Sequence, residues 1–253
     1  MKPMSSGTAH ATGSAGAFIP DVEFLRVTDV HAFYGESHIL HGIDFMVNRG
    51  ELVTLLGRNG AGRTTMLKAI LGLVEKRTGS IMVNGREAIA MPSHRIARLG
   101  IGYCPEERGI YTSLSTEENL MLPPAVSSGG MGIEEIYGMF PQLAERRKSP
   151  GGRLSGGEQQ MLAMARILRT GARLLLLDEI TEGLAPVIVQ ILGRVIRSLK
   201  EKGLTIVMVE QNFRFAANLA DRHYVMENGR IVEMVTREEL PSRIGKLHEY
   251  LGV

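Results

Sequence analysis

Leu154-Ser155-Gly156-Gly157-Glu158-Gln159-Gln160, followed a short way on by Leu174-Leu175-Leu176-Leu177-Asp178-Glu179, is the stretch on which the fold turns. A serine and two glycines at the start of a helix leave backbone amides unpaired and pointing outward, which makes an anion site. An apolar strand that ends in two carboxylates is where phosphate-binding folds hold magnesium and a general base. Upstream, Gly57-Arg58-Asn59-Gly60-Ala61-Gly62-Arg63-Thr64-Thr65 follows the apolar run 52–56 and opens a helix. A phosphate-cradling loop needs that context, because glycines let the backbone wrap the phosphates while the amides donate to their oxygens.

Each piece has a plainer reading. In a chain with 30 glycines a glycine-rich turn alone is weak evidence, and two carboxylates can simply solvate a strand end. The order of the pieces favours the chemistry. Thr64 and Asp178 are then the magnesium-side residues, and Glu179 polarises the attacking water. One position departs from the phosphate-loop pattern, which has lysine where this chain has Arg63. Arginine keeps the charge but is bulkier, planar and forked. It either reaches the β- and γ-phosphates or holds nucleotide in a less reactive pose.

At 253 residues the chain has room for one large α/β domain or two small ones. A formal net charge of +2, scattered basic residues and 5% aromatic content argue against nucleic acid as the main partner. The single cysteine, Cys104, excludes an intrachain disulfide, and its apolar setting in Ile101-Gly102-Tyr103-Cys104 predicts a buried strand position. No run approaches the roughly 18–20 apolar residues that span a bilayer, so no direct membrane insertion is expected. Residues 1–20, rich in Gly, Ala and Ser, read as a disordered N-terminal extension, with the ordered domain at 21–253.

Periodicity predicts strands over 22–30, 42–47 and 52–56, a helix over 64–73, and strands over 80–83 and 101–104. Ser115 and Glu118 have capping-box spacing and start a helix that Pro123-Pro124 breaks; a second helix follows over 134–140. Helix and strand then alternate: helix 158–169, strand 173–177, helix 186–200, strand 205–209, helix 212–220, strands 223–226 and 230–234, and a helical tail. Such alternation implies a mostly parallel sheet covered on both faces.

Together these segments resemble the nucleotide-binding subunits of ABC transporters, from about Asp21 to the C-terminus. The resemblance implies an α/β P-loop ABC ATPase fold: a mostly parallel core sheet, an N-terminal antiparallel β part and an inserted helical subdomain at about 112–165. It implies ATP and Mg2+ as ligands, with ATP held between two subunits. Residues Gly57 to Thr65 hold the chain's own ATP. Leu154, Ser155, Gly156, Gly157, Glu158 and Gln159 form the signature that meets the γ-phosphate of ATP on the opposing subunit. An aromatic ring usually packs on adenine, and Tyr34 in Phe33-Tyr34-Gly35 is matched to it, a core tyrosine being the competing reading.

Three positions depart from the general family pattern. Glu106 stands where a magnesium-sensing glutamine is usual, Gln211 replaces the switch histidine, and Ala185 replaces an aspartate. The pair Pro105-Glu106, the switch Val209-Glu210-Gln211-Asn212, the loop Gly183-Leu184-Ala185-Pro186 and the terminal Glu249-Tyr250-Leu251-Gly252 resemble branched-chain amino acid importer ATPases of the LivF type. That resemblance implies a sister ATPase in a heterodimer, two transmembrane permease subunits, and a periplasmic binding protein acting indirectly. It implies a cytoplasmic position, peripheral on the inner face of the plasma membrane. Urea and short-chain amide importers use similar ATPases. A largely non-hydrolytic nucleotide-binding half is the alternative that Arg63 and Gln211 raise, and a soluble ABC protein acting on nucleic acid is a third.

Overall fold

Four leucines in succession, Leu174 to Leu177, require a strand buried on both faces, since neighbouring side chains on a strand point opposite ways. The computed structural model, which describes residues 23–252, supplies both faces. In chain order the first elements are β1 (Glu23–Tyr34), β2 (Ser37–Asn48), β3 (Leu52–Leu56), α1 (Arg63–Ile70), β4 (Lys76–Val83), β5 (Arg86–Glu87), α2 (Ser93–Ala97) and β6 (Ile101–Cys104). Next come α3 (Thr116–Met121), α4 (Ile133–Met139), α5 (Pro141–Glu145), α6 (Gly156–Arg169), β7 (Leu174–Asp178) and α7 (Pro186–Glu201). The chain continues through β8 (Thr205–Val209), α8 (Phe213–Ala217), β9 (Arg222–Glu227), β10 (Arg230–Thr236) and α9 (Leu240–Leu251).

Two sheets result. A six-stranded sheet has the order β10-β9-β3-β8-β7-β6, parallel throughout except for the β9–β10 hairpin at its edge. A four-stranded antiparallel sheet has the order β2-β1-β4-β5. The large sheet separates two apolar cores. Leu175 and Leu177 join Ile206 and Met208 on the side covered by α6 and α7. Leu174 and Leu176 join Val207 and Val209 on the side of α1 and the antiparallel sheet. Cys104 is fully buried at the end of β6, as its setting predicts.

Between β6 and β7 the chain is helical. The expected capping box is present, Ser115 and Glu118 closing the start of α3; a second one, Ser155 and Glu158, closes the start of α6, which begins at Gly156 rather than at residue 158. Helices α3, α4 and α5 pack on α6.

Several boundaries differ from the sequence-based expectation. Helix α1 stops at Ile70 because Gly72 turns left-handed (φ 69°) and its surroundings leave no room for a side chain. Strand β4 begins at Lys76, four residues early, through a polar segment whose Arg77 reaches in to the carbonyls of Ala69, Ala88 and Met91. Helix α2 has only Ile96 buried, too little to register as a period. Helix α8 ends at Ala217 rather than residue 220. The expected disordered segment 1–20 lies outside the described residues.

Because β3, β6, β7 and β8 run parallel, their carboxyl ends lie along one edge of the sheet. Leu56, Cys104, Asp178 and Val209 deliver the loops beginning at Gly57, Pro105, Glu179 and Glu210 to the same crevice. Open α/β sheets bind ligands at that edge.

Candidate nucleotide site

The loop from β3 to α1 is shaped by backbone contacts that only glycine permits. A Cβ on Gly57 would lie 2.4 Å from the carbonyl oxygen of Met226. Gly62, left-handed at φ 99°, is the N-cap of α1 and offers no side-chain cap, so the first-turn amides of the helix keep open valences. The loop is braced from within, Ala61 N–H donating to Arg58 O at 3.0 Å, and from outside, Gly229 N–H donating to Ala61 O at 3.0 Å. It forms one wall of a cleft of about 420 Å³, which Glu106, Glu179, Glu182 and Gln211 close on the other side.

Thr64 and Asp178, the two residues read as the magnesium side, are brought together. The Thr64 hydroxyl donates to Asp178 Oδ1 at 3.0 Å, and Asp178 is fully buried. A residue that sequence reading missed completes this corner, the Tyr103 hydroxyl donating to Asp178 Oδ2 at 3.0 Å. Tyr103 stands opposite Leu176 on the strand beside β7, which brings its hydroxyl to Asp178, and no local pattern in the sequence signals that pairing. Burial pushes the Asp178 carboxyl up, and the two hydroxyls pull it back down. Burial, then the neighbouring Asp178 charge, pushes the Tyr103 phenol up, so it stays a donor. A hydroxyl and a buried carboxylate side by side are hard oxygen donors of the kind magnesium takes, so this corner fits the ion.

Arg63 is only 4% exposed. Its guanidinium donates to Glu179 Oε1 at 2.8 Å, to the Glu210 carbonyl at 3.1 Å and to Asn59 Oδ1 at 3.3 Å. The fork thus bridges the phosphate loop to the ends of β7 and β8, a span that one ammonium point charge covers less well. Glu179 also accepts from Gln211 Nε2 at 2.8 Å, so both of its oxygens are held. Its backbone is left-handed, φ 47°, a conformation that a non-glycine residue keeps only under external constraint. Burial and a hydrogen bond from Glu182 push the Glu179 carboxyl up, against the opposing pull of Arg63 and Gln211. Glu106 groups with Glu179 and Glu182, one oxygen of each lying within 4.8 Å of the others. Burial first, then the charges of Glu179 and Glu107, push the Glu106 carboxyl up.

Other expected residues lie apart from this cleft. Tyr34 closes β1 and is 43% exposed, which removes the core-tyrosine reading; Ile39, on the next strand, lines the cleft instead. None of the signature residues lines the cleft. Leu154 is buried, and Gly157 is packed so that a Cβ would fall 2.7 Å from Ile188. Glu158 turns back to the Ser155 amide at 2.7 Å, and Gln159 donates to the carbonyls of Gly151 and Leu154. Exposed Ser155 and Gly156 are left at the start of α6, facing outward from their own subunit.

A glycine-wrapped helix start, a hydroxyl–carboxylate corner and a second carboxylate at the end of the neighbouring strand define a P-loop nucleotide-binding cassette. The sequence profile of ABC transporters matches residues 40–182. The high-affinity branched-chain amino acid transport ATP-binding protein BraG of Pseudomonas aeruginosa is 41% identical over 231 residues, covering 90% of this chain and 99% of that protein. A probable branched-chain amino acid transport ATP-binding protein, LivF of Archaeoglobus fulgidus, is 36% identical over 220 residues, 85% of this chain and 93% of its own. The lipopolysaccharide export system ATP-binding protein LptB of Escherichia coli is 32% identical over 234 residues, 90% and 97%. A solved ATP-binding subunit of an ABC transporter superposes with a TM-score of 0.76 at 28% identity, over 91% of this chain and all of that one. A nucleotide-free ATP-binding cassette, at 22% identity, shares the fold with a TM-score of 0.77, covering 91% of this chain and 99% of its own. The chain belongs to the ABC transporter ATP-binding family, whose members are ATPases.

Proposed function

We propose that this chain is the ATP-binding and ATP-hydrolysing subunit of an importer for leucine, isoleucine and valine. The observation that carries the ATPase part is the meeting of Arg63, the Thr64–Asp178 pair, Glu179 and Gln211 in one cleft at the carboxyl edge of the sheet. The cargo is supported by what the names of the two most similar relatives described above say those proteins transport. In this reading ATP lies along residues 57–65 with its adenine toward Tyr34. Thr64 and Asp178 hold the magnesium ion, with Glu106 nearby; the ion, when bound, neutralises phosphate charge. Glu179 takes the proton of the attacking water, and Gln211 orients that water or the γ-phosphate.

The signature residues, Ser155 and Gly156 foremost, serve the ATP of a sister subunit; in support, both are exposed and neither lines the chain's own cleft. The assembly in this reading is an ATPase heterodimer on the cytoplasmic face of the plasma membrane, with two permease subunits and a periplasmic binding protein. None of the described helices is long and apolar enough to cross a membrane. Uptake of labelled leucine and labelled urea by cells carrying Glu179→Gln tests the cargo. Loss of leucine uptake alone supports the reading, and loss of urea uptake alone replaces the cargo.

The Arg63–Glu179 ion pair favours a second reading, in which this half binds nucleotide but hydrolyses it slowly. A base whose oxygens are both occupied activates water only once the γ-phosphate has drawn the guanidinium away. Arg63→Lys separates the two. The ammonium keeps the charge for the phosphates and releases one oxygen of Glu179. ATP affinity by titration calorimetry is expected to stay within about threefold or to tighten, and turnover to rise. A tenfold or greater loss of affinity would show that the loop is built around the guanidinium.

A further inference from the structure

The residue just before the switch glutamine, Glu210, is 2% exposed and carries a carboxylate inside the protein. It accepts from the Thr181 hydroxyl at 2.8 Å and from the Thr181 amide at 3.2 Å. The backbone amide of Asn212 is near enough to pull the same carboxyl down. Its own carbonyl accepts from Arg63 at 3.1 Å. On either side, Val209 O accepts from Glu179 N–H at 2.9 Å, and Gln211 holds the Glu179 carboxylate. Residues 209–211 therefore grip residues 179–181 at three consecutive points. Glu179, left-handed at φ 47°, sits in the middle of that grip.

We propose that Glu210 is a positioning residue for ATP hydrolysis: its buried carboxylate clamps Thr181 while its carbonyl anchors Arg63, registering the Glu179 loop against the phosphate loop. This rests on the reading of Glu179 as the general base. A left-handed glutamate relaxes toward ordinary backbone geometry unless the next residues are held. Among the described residues, Glu210 is the hydrogen-bond partner of the Thr181 hydroxyl. Thr181 also opens the segment that runs through Glu182 and Ala185 into α7.

The two converging donors of Thr181 suit an ionised carboxylate, since a proton on Glu210 would face N–H and O–H groups rather than an acceptor. Burial pushes the Glu210 carboxyl up to about 7, and the Glu179 charge adds to the rise. The charged groups around it are Arg63 from α1, Glu179 from the end of β7, and Glu182, which shares with it a small cavity of about 160 Å³. Turnover therefore rises with pH through this range as the clamp ionises.

The test uses the full chain purified with the subunits it assembles with. Glu210→Ala, Thr181→Val and the double variant are compared with Glu179→Gln. Glu210→Ala is expected to lower kcat about tenfold or more with the KM for ATP within about threefold, and the double variant to be no worse than about twofold below it. Amide exchange at residues 179–182 is expected to quicken about tenfold in Glu210→Ala. Glu210→Gln, which keeps the size and one acceptor, is expected to fold normally and to recover part of the kcat lost in Glu210→Ala. Multiplicative losses in the double variant, unchanged exchange at 179–182, or a Glu210→Gln kcat no higher than that of Glu210→Ala each overturn the clamp. Collapse of turnover in Glu179→Gln with normal turnover in Glu210→Ala also overturns it. Unchanged turnover in Glu179→Gln instead removes the base on which it rests.

Discussion

Glu179→Gln is expected to lower ATP turnover by about 10²-fold or more while ATP binding is kept or tightened. The amide has the shape of the carboxylate but accepts no proton at any working pH. A second effect comes from the buried guanidinium. Arg63, 4% exposed, has the Glu179 carboxylate as its counter-charge. Removing that charge leaves a buried cation seeking an anion, and the phosphates of ATP are the next one available. Tighter ATP binding and arrested hydrolysis therefore arise from one substitution by two routes. Turnover in the assembled complex and calorimetric ATP affinity separate them. Normal turnover removes Glu179 from the base role; weaker ATP binding shows that the ion pair does not compete with the phosphates.

Local chemistry was legible in the sequence where one segment contained the whole interaction. The spacing of Ser115 with Glu118 gave the start of α3, because a capping box closes within four residues. Leu174 to Leu177 announced a strand covered on both faces, and its two ends lead where the reading required. The links that join the site were not legible. Arg63 meets Glu179 across 116 positions and Tyr103 meets Asp178 across 75, distances that no local pattern encodes. Arg63 read as a departure from a phosphate-loop pattern; only the folded chain shows it as a bridge between three strand ends. Polar strand beginnings such as Lys76-Arg77-Thr78-Gly79 failed for a related reason, their pairing being decided by β1 rather than by their own composition.

Gly229→Ala is expected to destabilise the protein by at least about 3 kcal/mol, and Gly85→Ala by only about 1 kcal/mol. The two glycines occupy the same kind of turn. Asn84-Gly85 joins β4 to β5 with φ of 49° and 73°, and Asn228-Gly229 joins β9 to β10 with φ of 47° and 70°. Both fit the two-residue hairpin turn that needs positive φ at its centre, so the backbone strain of adding a side chain is shared. Their surroundings differ. A Cβ on Gly85 meets nothing within 4 Å, whereas a Cβ on Gly229 would lie 1.9 Å from the Ile39 carbonyl oxygen and 2.8 Å from the His41 ring. Gly229 also accepts from His41 N–H at 2.8 Å and donates to Ala61 O at 3.0 Å, so it pins the antiparallel sheet and the phosphate loop to the hairpin. Relieving the clash pulls the hairpin off β2 and withdraws the donor from Ala61, in the middle of the loop that would wrap the phosphates. The melting temperature of Gly229→Ala should fall by roughly 6–12 °C, against a few degrees for Gly85→Ala, with ATP affinity falling only in the former. Equal losses in the two variants would mean that turn strain alone fixes these glycines, and that the phosphate loop keeps its shape without the hairpin behind it.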